Sequence, residues 1–172
     1  GIDAAVAAGF KSIKINAVVQ RGLNDHTLID LARQFRNTPH ILRFIEYMDV
    51  GNRNGWKLDD VVSAKDILDQ LHREFPLKPL ERSYRSEVAS RYAYEDGAGE
   101  IGFISSVTNT FCGNCNRARI SADGQLYTCL FSGEGIDLKS RLTDNNDDHL
   151  LQYLSEVWSR RDDRYSELRA SM

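Results

Sequence analysis

Cysteine is scarce in this sequence, with 3 among 172 residues, and an odd number is a poor disulfide framework. It fits a reducing compartment in which thiolates bind metals, so a cytoplasmic protein is expected. Long apolar runs are missing as well. No stretch approaches the roughly 18 to 20 apolar residues that span a bilayer, and the first residues show no charged-then-apolar leader. The expectation is a protein that is neither exported nor embedded in a membrane. There is no excess of positive charge either: the net charge is −3 and the pI about 5.8. That excludes a global basic field for nucleic acid, so any bound anion must be held by local arginines and lysines. Internal repeats and low-complexity segments are absent.

What is present is an ordinary globular composition, 41% hydrophobic and 27% charged, enough for a core. Ile2 to Ala8 reads as a helix tail stopped at Gly9, and KSIKINAVV then alternates with the period of a strand. A helix from Asp25 to Phe35 carries Leu28, Leu31, Ala32 and Phe35 as its apolar stripe, and HILRFIEYM reads as another strand. Ser63 with Asp66 resembles a capping box opening a helix that uses Ile67, Leu68, Leu71 and Phe75 and ends before Pro76. The α-β-α-β-α order predicts parallel strands with crossover helices. Arg91–Tyr94 and Glu100–Ile104 suggest two short strands around EDGAG, and His149–Trp158 has helical spacing. A bare helix tail at the start lacks a strand to pack beside, so the chain reads as the C-terminal part of something longer.

All three cysteines lie in FCGNCNRARISADGQLYTCLF, at Cys112, Cys115 and Cys129. A thioredoxin-like reading needs the first cysteine at a helix start, where the dipole lowers its pKa. Here the following residues alternate like a strand, and Asp123-Gly124 marks a turn. A three-residue loop, Ala122-Asp123-Gly124 with Gly124 left-handed, pairs Ile120 with Leu126 and Arg117 with Cys129. One face is then apolar, and the other carries Arg117, Arg119, Tyr127 and Cys129.

A structural zinc needs a fourth ligand, and His26, His40, His72 and His149 are all remote in sequence. An iron–sulfur cluster held by three cysteines instead leaves one iron open. Free structural cysteines and a zinc-bound interaction module without catalysis stand as alternatives. The two arginines are either a solvated strand face or, beside an open metal site, an anchor for phosphate oxygens.

The stretch from Phe111 to Leu130 follows F-C-x-x-C-N-R-x-R-x-[ST]-x-D-G-x-L-x-x-C-L, and it resembles the second cluster motif of the MoaA family, the GTP 3′,8-cyclases of molybdenum-cofactor biosynthesis. KSIKINAVVQRGLND and LRFIEYMDVG resemble that family's barrel strands, so the likeness runs from the first residues to about Arg141. The resemblance implies a radical S-adenosylmethionine enzyme with two 4Fe–4S clusters. One cleaves S-adenosylmethionine, and the other binds GTP through its open iron. The radical removes the hydrogen at GTP carbon 3′, carbon 8 of guanine is attacked, and the product goes to cyclic pyranopterin monophosphate synthase. A homodimer is compatible with it.

Carried over by position, Cys112, Cys115 and Cys129 hold the C-terminal cluster, while Arg117, Arg119 and Lys14 grip the GTP phosphates. Arg43 is a further phosphate candidate that could equally pair with Glu46, and Met48 matches a contact to S-adenosylmethionine. Read without the resemblance, Lys14 is a strand lysine covering apolar surface and Met48 a core residue. The implied fold is α/β: residues 1–80 are the last strands and helices of an incomplete barrel, and residues 81–172 an α+β extension carrying the cluster hairpin. The family's first motif, C-x-x-x-C-x-x-C, and its Gly-Gly tail have no counterpart here, so this portion alone is expected not to turn over GTP.

Overall fold

The computed structural model describes residues 1–50, 55–144 and 147–169. Gly51, which closes the LRFIEYMDVG stretch, and the last three residues of the terminal LRASM lie outside them. The chain groups into two compact units, residues 1–111 and 112–172, whereas the sequence reading divides it at residue 80.

The first unit is a mixed α/β fold. Helix α1 (Ile2–Ala7) ends where Gly9 takes a positive φ of 97°. Strand β1 (Lys14–Val19) follows, then a 3₁₀ turn at Asp25–Thr27 leading into α2 (Leu28–Phe35), and then β2 (Ile41–Glu46). Helix α3 (Ala64–Glu74) starts at the expected cap, with Ser63 Oγ accepting from the Asp66 N–H at 3.0 Å. Strands β3 (Leu77–Leu80), β4 (Ser90–Tyr94) and β5 (Glu100–Ile104) complete a five-stranded sheet of order β1-β2-β5-β4-β3. As the element order predicts, β1 and β2 are parallel. The chain then inserts β5 parallel to β2, and β4 and β3 extend the sheet antiparallel.

Alternation decides which face is covered. Leu42 and Phe44 of β2, with Val19, Ile101 and Phe103, meet Leu28 and Ala32 of α2 and Ile67 and Leu71 of α3 in one core. Residues of the opposite register, Lys14, Asn16 and Arg43, point to the other face.

Glu46 breaks the apolar pattern of the covered face. It ends β2 and is 1% exposed. Its carboxylate accepts from the Ala64 N–H at 2.7 Å, from the Val107 N–H at 2.7 Å and from the Thr108 N–H at 2.8 Å, with the Thr108 hydroxyl donating as well. Ala64 is the first helical residue of α3, so the carboxylate also sits at the positive end of that helix dipole. Charge-assisted bonds to otherwise orphaned amides make the buried anion tolerable.

Removing that acceptor leaves the buried Ala64 amide without a partner, at a cost of about 1 to 3 kcal/mol, while the amides of Val107 and Thr108 lie nearer water and cost less. Glu46→Ala is therefore expected to lose about 2 to 4 kcal/mol in urea unfolding with an unchanged m-value. A loss below about 1 kcal/mol would show that water or another acceptor replaces the carboxylate.

Candidate functional site

In the second unit, β6 (Arg119–Ile120), β7 (Gln125–Tyr127) and β8 (Ile136–Asp137) form a small antiparallel sheet of order β6-β7-β8. Its turn has the chemistry read from the sequence. Gly124 has φ 85°, the Gly124 N–H donates to the Ser121 carbonyl at 3.0 Å, and Ile120 pairs with Leu126. The ladder stops at Arg119 opposite Tyr127 and does not reach Arg117 and Cys129, because the chain bends at Thr128 and Cys129.

The two faces have the expected composition, Ile120 with Leu126 on one and Arg119 with Tyr127 on the other. Ile120, on the edge strand, is 67% exposed, whereas Leu126, flanked by strands on both sides, is 6% exposed. Ala118 is exposed, and Arg117 and Arg119 are half-buried. The guanidinium side is thus partly sheltered along its length, whereas the apolar side is buried at Leu126 and open at the edge strand.

The cysteines occupy a sheltered, donor-rich setting. All three are free thiols and half-buried. Cys112–Asn114 make a 3₁₀ turn, closed by the Cys115 N–H on the Cys112 carbonyl at 3.1 Å. Nε and Nη2 of Arg117 both donate to Cys115 Sγ, at 3.3 and 3.2 Å. The Phe131 N–H donates to Cys129 Sγ at 3.5 Å. Burial is the largest influence on the Cys115 thiol and pushes its pKa up. The Arg117 N–H, the Arg117 guanidinium and the charges of Arg117 and Arg161 together outweigh it, leaving the pKa below that of an ordinary cysteine. Among the described residues, no three His, Cys, Asp or Glu side chains gather closely enough to hold a single metal ion.

The segment after helix α4 (Asp147–Ser159), which includes the short α5 (Tyr165–Leu168), supplies contacts that sequence reasoning missed. Arg161 donates from Nη1 to the Cys115 carbonyl, and Glu167 accepts from the Gly113 N–H at 3.2 Å. Tyr165 stacks on Phe131 with ring centroids 4.5 Å apart. Spacing gave no signal for these, because their partners lie more than thirty positions earlier in the chain.

The remaining predicted residues belong to the first unit. Lys14 and Arg43 share the sheet face away from the helices, on neighbouring strands β1 and β2. Arg43 Nε donates to Asn16 Oδ1 at 3.0 Å, so its partner is Asn16 rather than Glu46, which faces the other way. Gly102 lies opposite Arg43, and a Cβ there would stand 3.0 Å from Arg43 Cγ, so the arginine stem lies close over a bare backbone. Met48 follows β2 by two residues and is half-buried.

The chain is similar to known proteins over most of its length. A family profile described as Molybdenum Cofactor Synthesis C matches residues 40–167. The chain belongs to that family. A GTP 3′,8-cyclase of Xanthomonas axonopodis pv. citri is 54% identical over 172 residues, covering 100% of this chain and 51% of that protein. Others so named, from Acidothermus cellulolyticus and Synechococcus sp. strain CC9605, are 50% and 52% identical, covering 99% and 98% of this chain and 48% and 49% of theirs. The chain spans about half the length of these curated relatives of the molybdenum-cofactor synthesis family. No described helix of this family member is long and apolar enough to cross a membrane.

Two glycines test the hairpin sheet. A Cβ on Gly135 would stand 2.6 Å from Gln125 Cβ and 2.9 Å from Tyr127 Cζ, so β8 could not close on β7. Gly135→Ala is expected to cost about 1 to 3 kcal/mol by overpacking. Gly124→Ala, strained by its positive φ and by Lys139 Cβ at 3.1 Å, should cost on the order of 1 kcal/mol. Urea denaturation of each variant measures both, and wild-type stability in either would reject this turn and sheet geometry.

Proposed function

We propose that this chain is the C-terminal half of a GTP 3′,8-cyclase, and that Cys112, Cys115 and Cys129 hold the 4Fe–4S cluster at which GTP binds. The observation that carries this reading is the set of three free thiols, two of whose sulfurs already accept N–H donors and one of which has a lowered pKa. Sulfurs that accept hydrogen bonds suit the ligands of an iron–sulfur cluster, because such donors orient and tune them. Each thiolate then binds a different iron, so the sulfurs need not converge on one point as a zinc ion requires. The small core of this unit agrees with a metal staple: its buried apolar side chains, among the described residues, are Leu126 and Leu138.

The cluster, when bound, supplies an open iron for a ligand atom of the substrate. The chain's own residues do the rest. Arg117 and Arg119 present planar donors suited to phosphate oxygens, and their shelter strengthens such bonds. Lys14 and Arg43 add positive charge on one face of the five-stranded sheet, which in this reading is part of a radical S-adenosylmethionine barrel. Met48, just past the C-terminal end of β2, stands where barrel enzymes place their ligands and is the contact for S-adenosylmethionine.

The test is chemical analysis of the full-length protein purified without oxygen, with iron, acid-labile sulfide and zinc measured beside GTP affinity. Arg119→Ala should retain iron and weaken GTP binding by about 1.5 to 3 kcal/mol, roughly 10- to 150-fold. Arg117→Ala should weaken GTP binding too and, because its guanidinium also donates to Cys115 Sγ, lower the iron content. Cys129→Ala should lose iron and sulfide together from this site. Stoichiometric zinc without sulfide at these thiols would overturn the reading in favour of a zinc-bound interaction module.

A further inference from the structure

The segment after α4 touches the cysteine turn at two places. Arg161 donates to the carbonyl of Cys115, and Glu167, itself paired with Arg164, accepts from the N–H of Gly113. Arg161 is the more constrained of the two acceptor-and-donor anchors. Its Nε donates to Asp163 Oδ2 at 3.1 Å, its guanidinium lies 4.9 Å from the centroid of the Trp158 ring, and its side chain is 11% exposed. A guanidinium fixed by a carbonyl, a carboxylate and an aromatic face is a charge with little freedom to move away. Shelter from water strengthens its field at the neighbouring sulfur.

We propose that Arg161 is a positioning residue for the cluster bound at Cys112, Cys115 and Cys129, holding the backbone of one ligand and setting the cluster's reduction potential through its fixed positive charge. The proposal rests on the reading of these thiols as cluster ligands. Adding an electron to a cluster held by thiolates makes the group more negative, so a fixed cation beside one ligand favours the reduced state. Asp163 opposes that effect, because its carboxylate partly neutralises the guanidinium. The two residues should therefore tune the cluster in opposite directions, which a purely structural role would not do.

The experiment uses the full-length protein, purified and reconstituted without oxygen, as wild type, Arg161→Met and Asp163→Asn. Dithionite supplies one electron per cluster, with no bond made or broken, and electron paramagnetic resonance follows the signal that is missing from Cys129→Ala. The expected result is a lower potential in Arg161→Met and a higher one in Asp163→Asn. Unchanged potentials, or shifts of the same sign in both variants, would overturn the proposal. If Arg161→Met loses its iron, Asp163→Asn decides alone: a raised potential upholds the proposal and an unchanged or lowered one rejects it. Wild-type protein without iron and sulfide at the three thiols overturns the underlying reading as well, and is distinguished before any variant is compared.

Discussion

One buried carboxylate governs the geometry of the first unit. Glu46 accepts from the first amide of α3 and from two consecutive amides of the loop after β5, and so joins three segments distant in sequence. An apolar residue of similar volume could fill the space but could not accept from three N–H groups at once. The carboxylate therefore fixes the C-terminal ends of β2 and β5 together, the edge at which parallel strands deliver functional side chains. Met48 departs from this point, and the chain beyond Thr108 leaves it for the cysteine segment.

The second unit works under a different constraint. It buries few apolar side chains, and α4 has none fully buried, with Leu151 64% exposed. Order in the cysteine turn comes instead from polar contacts: Arg117 on a sulfur, Arg161 on a carbonyl and Glu167 on an amide. Such contacts are directional and fix ligand geometry, but each adds only modest net stability.

Much of this was legible in the sequence wherever a local rule applied. Period distinguished β1 and β2 from α2 and α3, and Ser63 and Gly124 marked a cap and a turn through their own chemistry. Strand β3 escaped notice because its four residues include Pro79, which a strand tolerates at the sheet edge it occupies. The placing of β5 beside β2 is a non-local pairing that no window of residues records. Within the candidate site, the thiols and Arg117 declared themselves by spacing, whereas Arg161 reaches Cys115 across 46 positions. The alternation of Ala118 and Ile120 named the apolar face but not its burial, which falls on Leu126 at 6% exposed and leaves Ile120 on the edge strand at 67%.

The close passage of Arg43 over Gly102 joins two positions into one unit of variation. A side chain at 102 displaces the arginine stem, and the charge that this stem carries over the sheet then changes its reach. Substitution at the glycine is therefore read out at the arginine, whose stem must give by a few tenths of an ångström to admit a Cβ.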